Sequence, residues 1–325
     1  MLRKAGYLLF ALLFVGTAVF LAGPRVDTAY RPRPLALPSD LEAYLRAGES
    51  RFPDITPGAE KTIVWARPDR GKTPLAIIYL HGFSATRQET APLCDQLAAR
   101  LGANLFYTRL TGHGRGDAAL AQASVDDWLN DAVEALRIGE RLGDRVLVVG
   151  CSTGGALAAW LAVQADNRRV LGYVLLSPNF APRDPAARLL AWPWARQFVP
   201  RLVGDTRRMP PLSPAHARYW NLTYPTTALL PMMGVCRVAQ RLDLAAATRP
   251  LLVLYSPHDP VIDIAAVERA WRQWSPAQPK ELVPFSPADA REAHVLAGDI
   301  RAPDGTGPVR DAILRFVAAI DSPPR

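Results

Sequence analysis

Apolar positions along the chain follow two rhythms. Short runs at 75–80, 104–107, 146–149, 170–176 and 251–255 read as strands, and the β-branched run 146–149 suits a strand buried on both faces of a parallel sheet. Further strands are expected at 62–66 and 281–285. Between them lie helical periods at 86–101, 264–274 and 308–320, with a small-residue helix just after 146–149. Ser124 precedes a stripe of Val125, Trp128, Leu129, Ala132, Val133 and Leu136, with Asp127 placed to complete a capping box. An earlier helix is expected from Ser39 or Asp40, carrying Leu41, Tyr44 and Leu45 on one face. Strand and helix therefore alternate, which predicts an α/β fold with a mostly parallel sheet and helices on both faces.

The alternation fails between Ser177 and Ala247. That stretch is rich in Pro, Arg and large apolar residues, among them Trp192, Trp194, Phe198, Trp220, Tyr224, Met232 and Met233. A stretch this long without sheet pattern is expected to be an inserted helical cap or lid, assigned to 178–247. The core then comprises 59–177 and 248–325, preceded by a Pro-rich linker and first helix at 25–58.

At the N-terminus, positions 5–24 carry no charge after Arg3 and Lys4. The run reaches the ~20 residues that cross a bilayer as a helix. Two readings stand: an uncleaved single-helix anchor over 1–24, which the apolar continuation through Val19, Phe20 and Leu21 favours, and a signal peptide cleaved near Gly16-Thr17-Ala18. The first tethers the rest of the chain to a membrane, on its extracytoplasmic or periplasmic side; the second secretes it. Arg3 and Lys4 on one side, against Arg25, Arg31 and Arg33 on the other, leave orientation undetermined.

Composition narrows the function classes. With 49% hydrophobic and 21% charged residues in 325, the chain builds a large core. The net charge of +8 is scattered without a Lys/Arg block, which argues against a nucleic-acid partner. Cys94, Cys151 and Cys236 are widely spaced and odd in number, which argues against a disulfide scaffold and a zinc site. Neither metal nor cofactor is called for. Gly112-His113-Gly114-Arg115-Gly116 lacks the residues of a phosphate-binding loop.

The candidate chemistry sits in four places. Gly150-Cys151-Ser152-Thr153-Gly154 follows the 146–149 strand and opens a helix, the setting in which a G-x-S-x-G turn exposes a nucleophilic serine. Ser152 is the candidate nucleophile; an ordinary glycine-rich turn with a helix-capping serine is the plain alternative. His81-Gly82-Phe83 follows an early strand, where a backbone N–H approaches a developing oxyanion; the N–H groups of Phe83 and Thr153 are the candidate donors. Asp259, in the loop after the 251–255 strand, is the candidate acid, with Asp263 as the alternative at a helix start. Of five histidines, His294 alone follows both the serine and the acid and lies beyond the last strand. His81 and His113 are expected to shape loops.

Residues from about 60 to 320 resemble an α/β-hydrolase, closest to the serine-aminopeptidase and monoacylglycerol-lipase-like branch. The matching pieces are His81-Gly82-Phe83, Gly112-His113-Gly114, Gly150 to Gly155, Ser256 to Val261 and Ala293-His294. The resemblance implies a Ser152, Asp259, His294 triad with Phe83 and Thr153 at the oxyanion. It further implies a serine hydrolase acting on small-molecule or lipid esters with a hydrophobic acyl chain. Amide or thioester cleavage on the same triad, and a non-catalytic hydrolase-like binding module, are the alternatives; oligomeric state is left open. Relatives usually carry histidine before the nucleophile, where this chain has Cys151, read here as a small buried filler.

Overall fold

The computed structural model describes residues 2–164, 167–276, 279–286 and 293–321. The chain runs through α1 (Leu2–Leu21), α2 (Leu41–Glu49), β1 (Thr62–Val64), β2 (Thr73–Leu80), α3 (Leu93–Leu101), β3 (Asn104–Tyr107), α4 (Val125–Leu142) and β4 (Gly143–Cys151). It continues with α5 (Thr153–Ala162), β5 (Val170–Leu176), α6 (Ala195–Val203), β6 (Thr206–Arg208), α7 (Pro214–Tyr219), β7 (Thr223–Pro225) and α8 (Leu229–Ala239). The last elements are β8 (Leu251–Tyr255), α9 (Ile264–Gln273), β9 (Lys280–Pro284) and α10 (Pro303–Asp321).

Among the described residues seven strands form one sheet in the order β1-β3-β2-β4-β5-β8-β9. Only β1 runs antiparallel to its neighbour. Successive side chains of β2 and β4 go to opposite faces, as strand geometry requires. Ile78, Val146 and Val148 join the apolar layer that contains residues of α4, α5, α8 and α9, whereas Ile77, Tyr79, Leu147 and Val149 join the layer of α3 and α10. Both faces are covered, so the strands read as continuous apolar runs. Chain order reverses between β2 and β4, since β2 is followed on one side by β3 and on the other by β4. In such sheets the crevice at the carboxyl ends of those two strands is where ligands bind.

The region between β5 and β8 adds no strand to the main sheet. It holds short helices and a two-stranded antiparallel ribbon, β6 with β7, that the sequence pattern does not announce. α8 packs on α5, and every residue of α5 is buried, which suits its run of Gly and Ala.

The expected N-terminal membrane anchor is not borne out. Among the described residues no helix is long and apolar enough to cross a membrane. The final turn of α1 is occupied otherwise: the Trp194 indole donates to Val19 O at 3.2 Å, and Phe20 meets Trp192 edge to face at 5.9 Å. Placement by a single-pass anchor is therefore unsupported. Residues 24–38 are held to the body. They lie along it, with Arg33 paired to Asp126 and Asp127 of α4 and the Arg141 guanidinium donating to Leu37 O and Pro38 O.

α4 starts as its sequence dictates. Ser124 Oγ accepts the Asp127 N–H at 3.1 Å, and the Asp127 carboxylate accepts the Ser124 N–H at 2.9 Å. One turn on, Asp131 accepts the Thr111 N–H at 2.6 Å, and the neighbouring Glu134 pairs with Lys61 and accepts the Tyr44 hydroxyl. Burial pushes the Asp131 carboxyl up to about 6, against the pull of Lys61 and of the Thr111 N–H. A carboxyl raised on folding favours the protonated native state, so its stabilising contribution is complete below its unfolded value and is lost as pH climbs through about 6. Asp131→Asn keeps an acceptor for Thr111 and removes that titration. Its stability relative to the parent, followed by urea unfolding, is expected to rise by about 1–3 kcal/mol between pH 4 and pH 7. A difference that does not vary with pH contradicts the assignment.

Candidate active site

β4 ends at Cys151 and α5 begins at Thr153, so a single residue turns the chain. Ser152 does this at φ +51° and ψ −115°, a strained conformation for a residue with a side chain and one that costs of order 1–3 kcal/mol. The surroundings hold it there: Ser152 N–H donates to Leu176 O at 2.9 Å, and Ser152 O accepts the Asn179 N–H at 2.9 Å. The turn brings the start of α5 hard against β2. A Cβ on Gly154 would lie 1.9 Å from Leu80 O, so only glycine fits.

His294 comes from the connection between β9 and α10. Its Nε2 lies 3.0 Å from Ser152 Oγ and its Nδ1 2.8 Å from Asp259 Oδ2. Asp259 is 1% exposed. Its other oxygen, Oδ1, accepts the N–H groups of Val261 at 2.7 Å and Ile262 at 3.2 Å, which fixes the carboxylate plane. A carboxylate only accepts, so Nδ1 carries the imidazole proton toward Asp259, and Nε2 is left with a lone pair facing the serine hydroxyl. The Arg183 guanidinium donates to Asp259 O at 3.1 Å and braces the same loop from the 178–247 side. Asp263 takes no part: its Oδ1 accepts the Ala265 N–H at 3.0 Å as the cap of α9.

The third piece is the loop after β2. Register pairs Leu80 with Gly150, which sets the residues after β2 beside the elbow. The Leu110 N–H donates to His81 Nε2 at 3.0 Å, so the ring proton is on Nδ1, which donates to Gly82 O at 2.9 Å. In a trans peptide the carbonyl and the following N–H point in opposite directions, so fixing Gly82 O on His81 turns the Phe83 N–H away from it. Burial lowers His81 to about 4, which keeps the imidazole neutral through the physiological range. Thr153 is the first residue of α5, where helix geometry leaves the N–H without an intrahelical acceptor. The Phe83 ring packs edge to face on Tyr224 of β7 at 5.5 Å and on His113 at 6.0 Å.

Cys151 is fully buried, and burial pushes its thiol well above the ordinary range, so no thiolate competes with the serine. The structure thus brings Ser152, Asp259 and His294 into one hydrogen-bonded line and sets Gly82 against the elbow. Sequence reasoning did not single out Glu89, Tyr79, Asn179 or Arg183, all of which contact this centre or its loops. A carboxylate eight positions after His81 was the one visible sign.

Comparison with known proteins agrees with this geometry. Residues 71–285 match the family model of the serine aminopeptidases, S33. A curated relative, the thermostable monoacylglycerol lipase of Bacillus sp. (strain H-257), is 28% identical over 89 residues, which span 27% of this chain and 35% of that protein. Among solved structures, one of the metagenome-derived lipolytic enzymes LipS and LipT superposes with a TM-score of 0.66 at 23% identity, covering 82% of this chain and 99% of that one. A soluble variant of the Saccharomyces cerevisiae monoglyceride lipase gives 0.59 at 12% identity, covering 82% of this chain and 92% of that one. Those structural likenesses establish the fold, and the family match spans most of the sheet, so the chain belongs to the serine aminopeptidase S33 family of α/β-hydrolases.

Proposed function

We propose that the chain is a serine hydrolase of the lipase and carboxylesterase type, cleaving carboxylic esters with a hydrophobic acyl chain through an acyl-enzyme. The observation that carries this reading is the continuous line from Ser152 Oγ through His294 to Asp259, 3.0 and 2.8 Å at its two steps. The kinship with a protein named as a monoacylglycerol lipase supports an ester rather than an amide.

His294 Nε2 takes the hydroxyl proton as Ser152 Oγ bonds to the acyl carbon. The carbonyl electron pair moves to oxygen, and the N–H groups of Phe83 and Thr153 stabilise that oxyanion. When the carbonyl re-forms, the ester C–O bond breaks and imidazolium gives its proton to the departing alkoxide. Water, deprotonated by the same nitrogen, then attacks the acyl-serine and releases the acid and the free hydroxyl. Asp259 keeps the imidazole in the required tautomer and offsets the transient positive charge.

The segment 178–247 acts as a cap over this centre. Tyr224 against Phe83 and α8 against α5 support that role, and the buried apolar side chains Phe180, Met232 and Met233 suit a fatty acyl chain.

A fluorophosphonate probe should label the protein at Ser152, with Ser152→Ala unlabelled and turnover reduced on the order of 10⁴–10⁶-fold. Absence of labelling in the parent, with the fold intact, means a binding module rather than an enzyme. Asp259→Asn presents an amide N–H to His294 Nδ1 and reverses the tautomer. Its kcat on a p-nitrophenyl ester should fall about 10²–10⁴-fold, and a fall of less than threefold removes Asp259 from the mechanism. Along a p-nitrophenyl series, kcat/KM is expected to climb about threefold to fourfold per added methylene until the acyl site is full. A flat series, or faster cleavage of an aminoacyl amide, contradicts the apolar ester reading.

A further inference from the structure

Glu89 is a carboxyl that the mechanism above does not use, and its placement is unusual. It is 2% exposed and ends a short 3-10 turn, Arg87–Glu89, in the connection between β2 and α3. Its Oε1 accepts the Gly82 N–H at 2.6 Å and the Tyr79 hydroxyl at 2.8 Å. Tyr79 faces it from β2 and the Cys151 thiol from the end of β4, while His294 is close enough for its positive charge to favour the ionised form. A buried carboxyl without a cation in contact is costly, so the fold holds it there at a price.

Gly82 lies between this carboxyl and the nucleophile. A Cβ added to Gly82 would be 3.0 Å from Glu89 Oε2 and 3.2 Å from Ser152 Cβ, so a larger residue would press on both. Yet glycine leaves φ and ψ loose at the point from which the Phe83 N–H must be aimed. Two side chains supply the missing restraint. Glu89 holds the N–H of the peptide before Gly82, and His81 Nδ1 holds the carbonyl of the peptide after it. With both planes fixed, the direction of the Phe83 N–H is fixed.

We propose that Glu89 is a positioning residue for the reaction: its carboxyl, through the Gly82 N–H, pre-aligns the backbone donor that meets the oxyanion. This rests on the reading of Ser152 as a nucleophile. Pre-alignment matters because a donor that must reorient during the reaction loses much of its effect. The charge on Glu89 matters as well. Burial raises its carboxyl to about 7, chiefly against the opposing pull of the Gly82 N–H and the Tyr79 hydroxyl. Below that pH it is neutral. Above it, a carboxylate stands across Gly82 from the forming oxyanion, so turnover declines as Glu89 ionises.

The test compares Glu89→Gln and Glu89→Ala with the parent on one p-nitrophenyl ester from pH 6 to pH 8.5, with rates divided by sites titrated with a fluorophosphonate. Glu89→Gln retains an acceptor for Gly82 and should keep kcat within about threefold of the parent at pH 6. Because the Glu89 titration near pH 7 is present only in the parent, the parent-to-Gln ratio of kcat should fall several-fold by pH 8.5. Glu89→Ala should lose about 10–100-fold in kcat with KM changed less than threefold. A carboxyl that merely stitches β2 to the turn predicts unchanged kcat per titrated site and a constant ratio across pH; either result overturns the proposal. If Glu89→Ala does not fold, the Gln ratio decides alone. A parent that neither labels nor turns over defeats the hydrolase reading instead, which separates the two failures.

Discussion

The crowding of one strand end against the first turn of one helix sets the rest of the molecule. Gly154 has no room for a side chain beside Leu80 O, and Ser152 is held at positive φ to make that contact. Strain at one residue is tolerable only where neighbours over-determine it. Here the bonds from Leu176 and Asn179, the burial of all of α5 and the glycines at the turn do so together. The consequence is a hydroxyl presented at the carboxyl ends of β2 and β4, where the strand order reverses, the position at which sheets of this kind bind ligands.

Around that hydroxyl, the buried polar groups are oriented by backbone partners rather than by exposed charges. Asp259 spends one oxygen on two amides and the other on His294. His81 accepts one amide and donates to one carbonyl, which fixes its tautomer and with it the peptide that follows Gly82. Such bonds act at short range in a site from which water is largely excluded, where they are stronger than at the surface. The 178–247 segment reaches this centre through Arg183 on the acid loop and Tyr224 on the Phe83 ring.

Much of this was legible in the chain. The continuous apolar runs placed β3, β5 and β8 at their observed limits, because strands buried on both faces leave no alternation to misread. The serine, acid and histidine were readable from motif and chain order. The expected helix over 86–101 is broken: proline at 92 lacks an N–H and disfavours helix in the residue before it, so a 3-10 turn precedes α3. That break folds Glu89 back onto Gly82, a contact with no periodic signature. The β6–β7 ribbon was missed because three-residue strands carry too little pattern. The N-terminal run misled because length and apolarity in sequence did not translate into a helix fit to cross a bilayer.

The most direct test of the central claim is a structure of the protein after reaction with an alkyl phosphonate ester. The account predicts a covalent bond from phosphorus to Ser152 Oγ, with His294 still on Asp259. The phosphoryl oxygen should lie about 2.7–3.1 Å from both the Phe83 and Thr153 nitrogens. Phosphorus on another residue, or a phosphoryl oxygen turned away from those two amides, contradicts it.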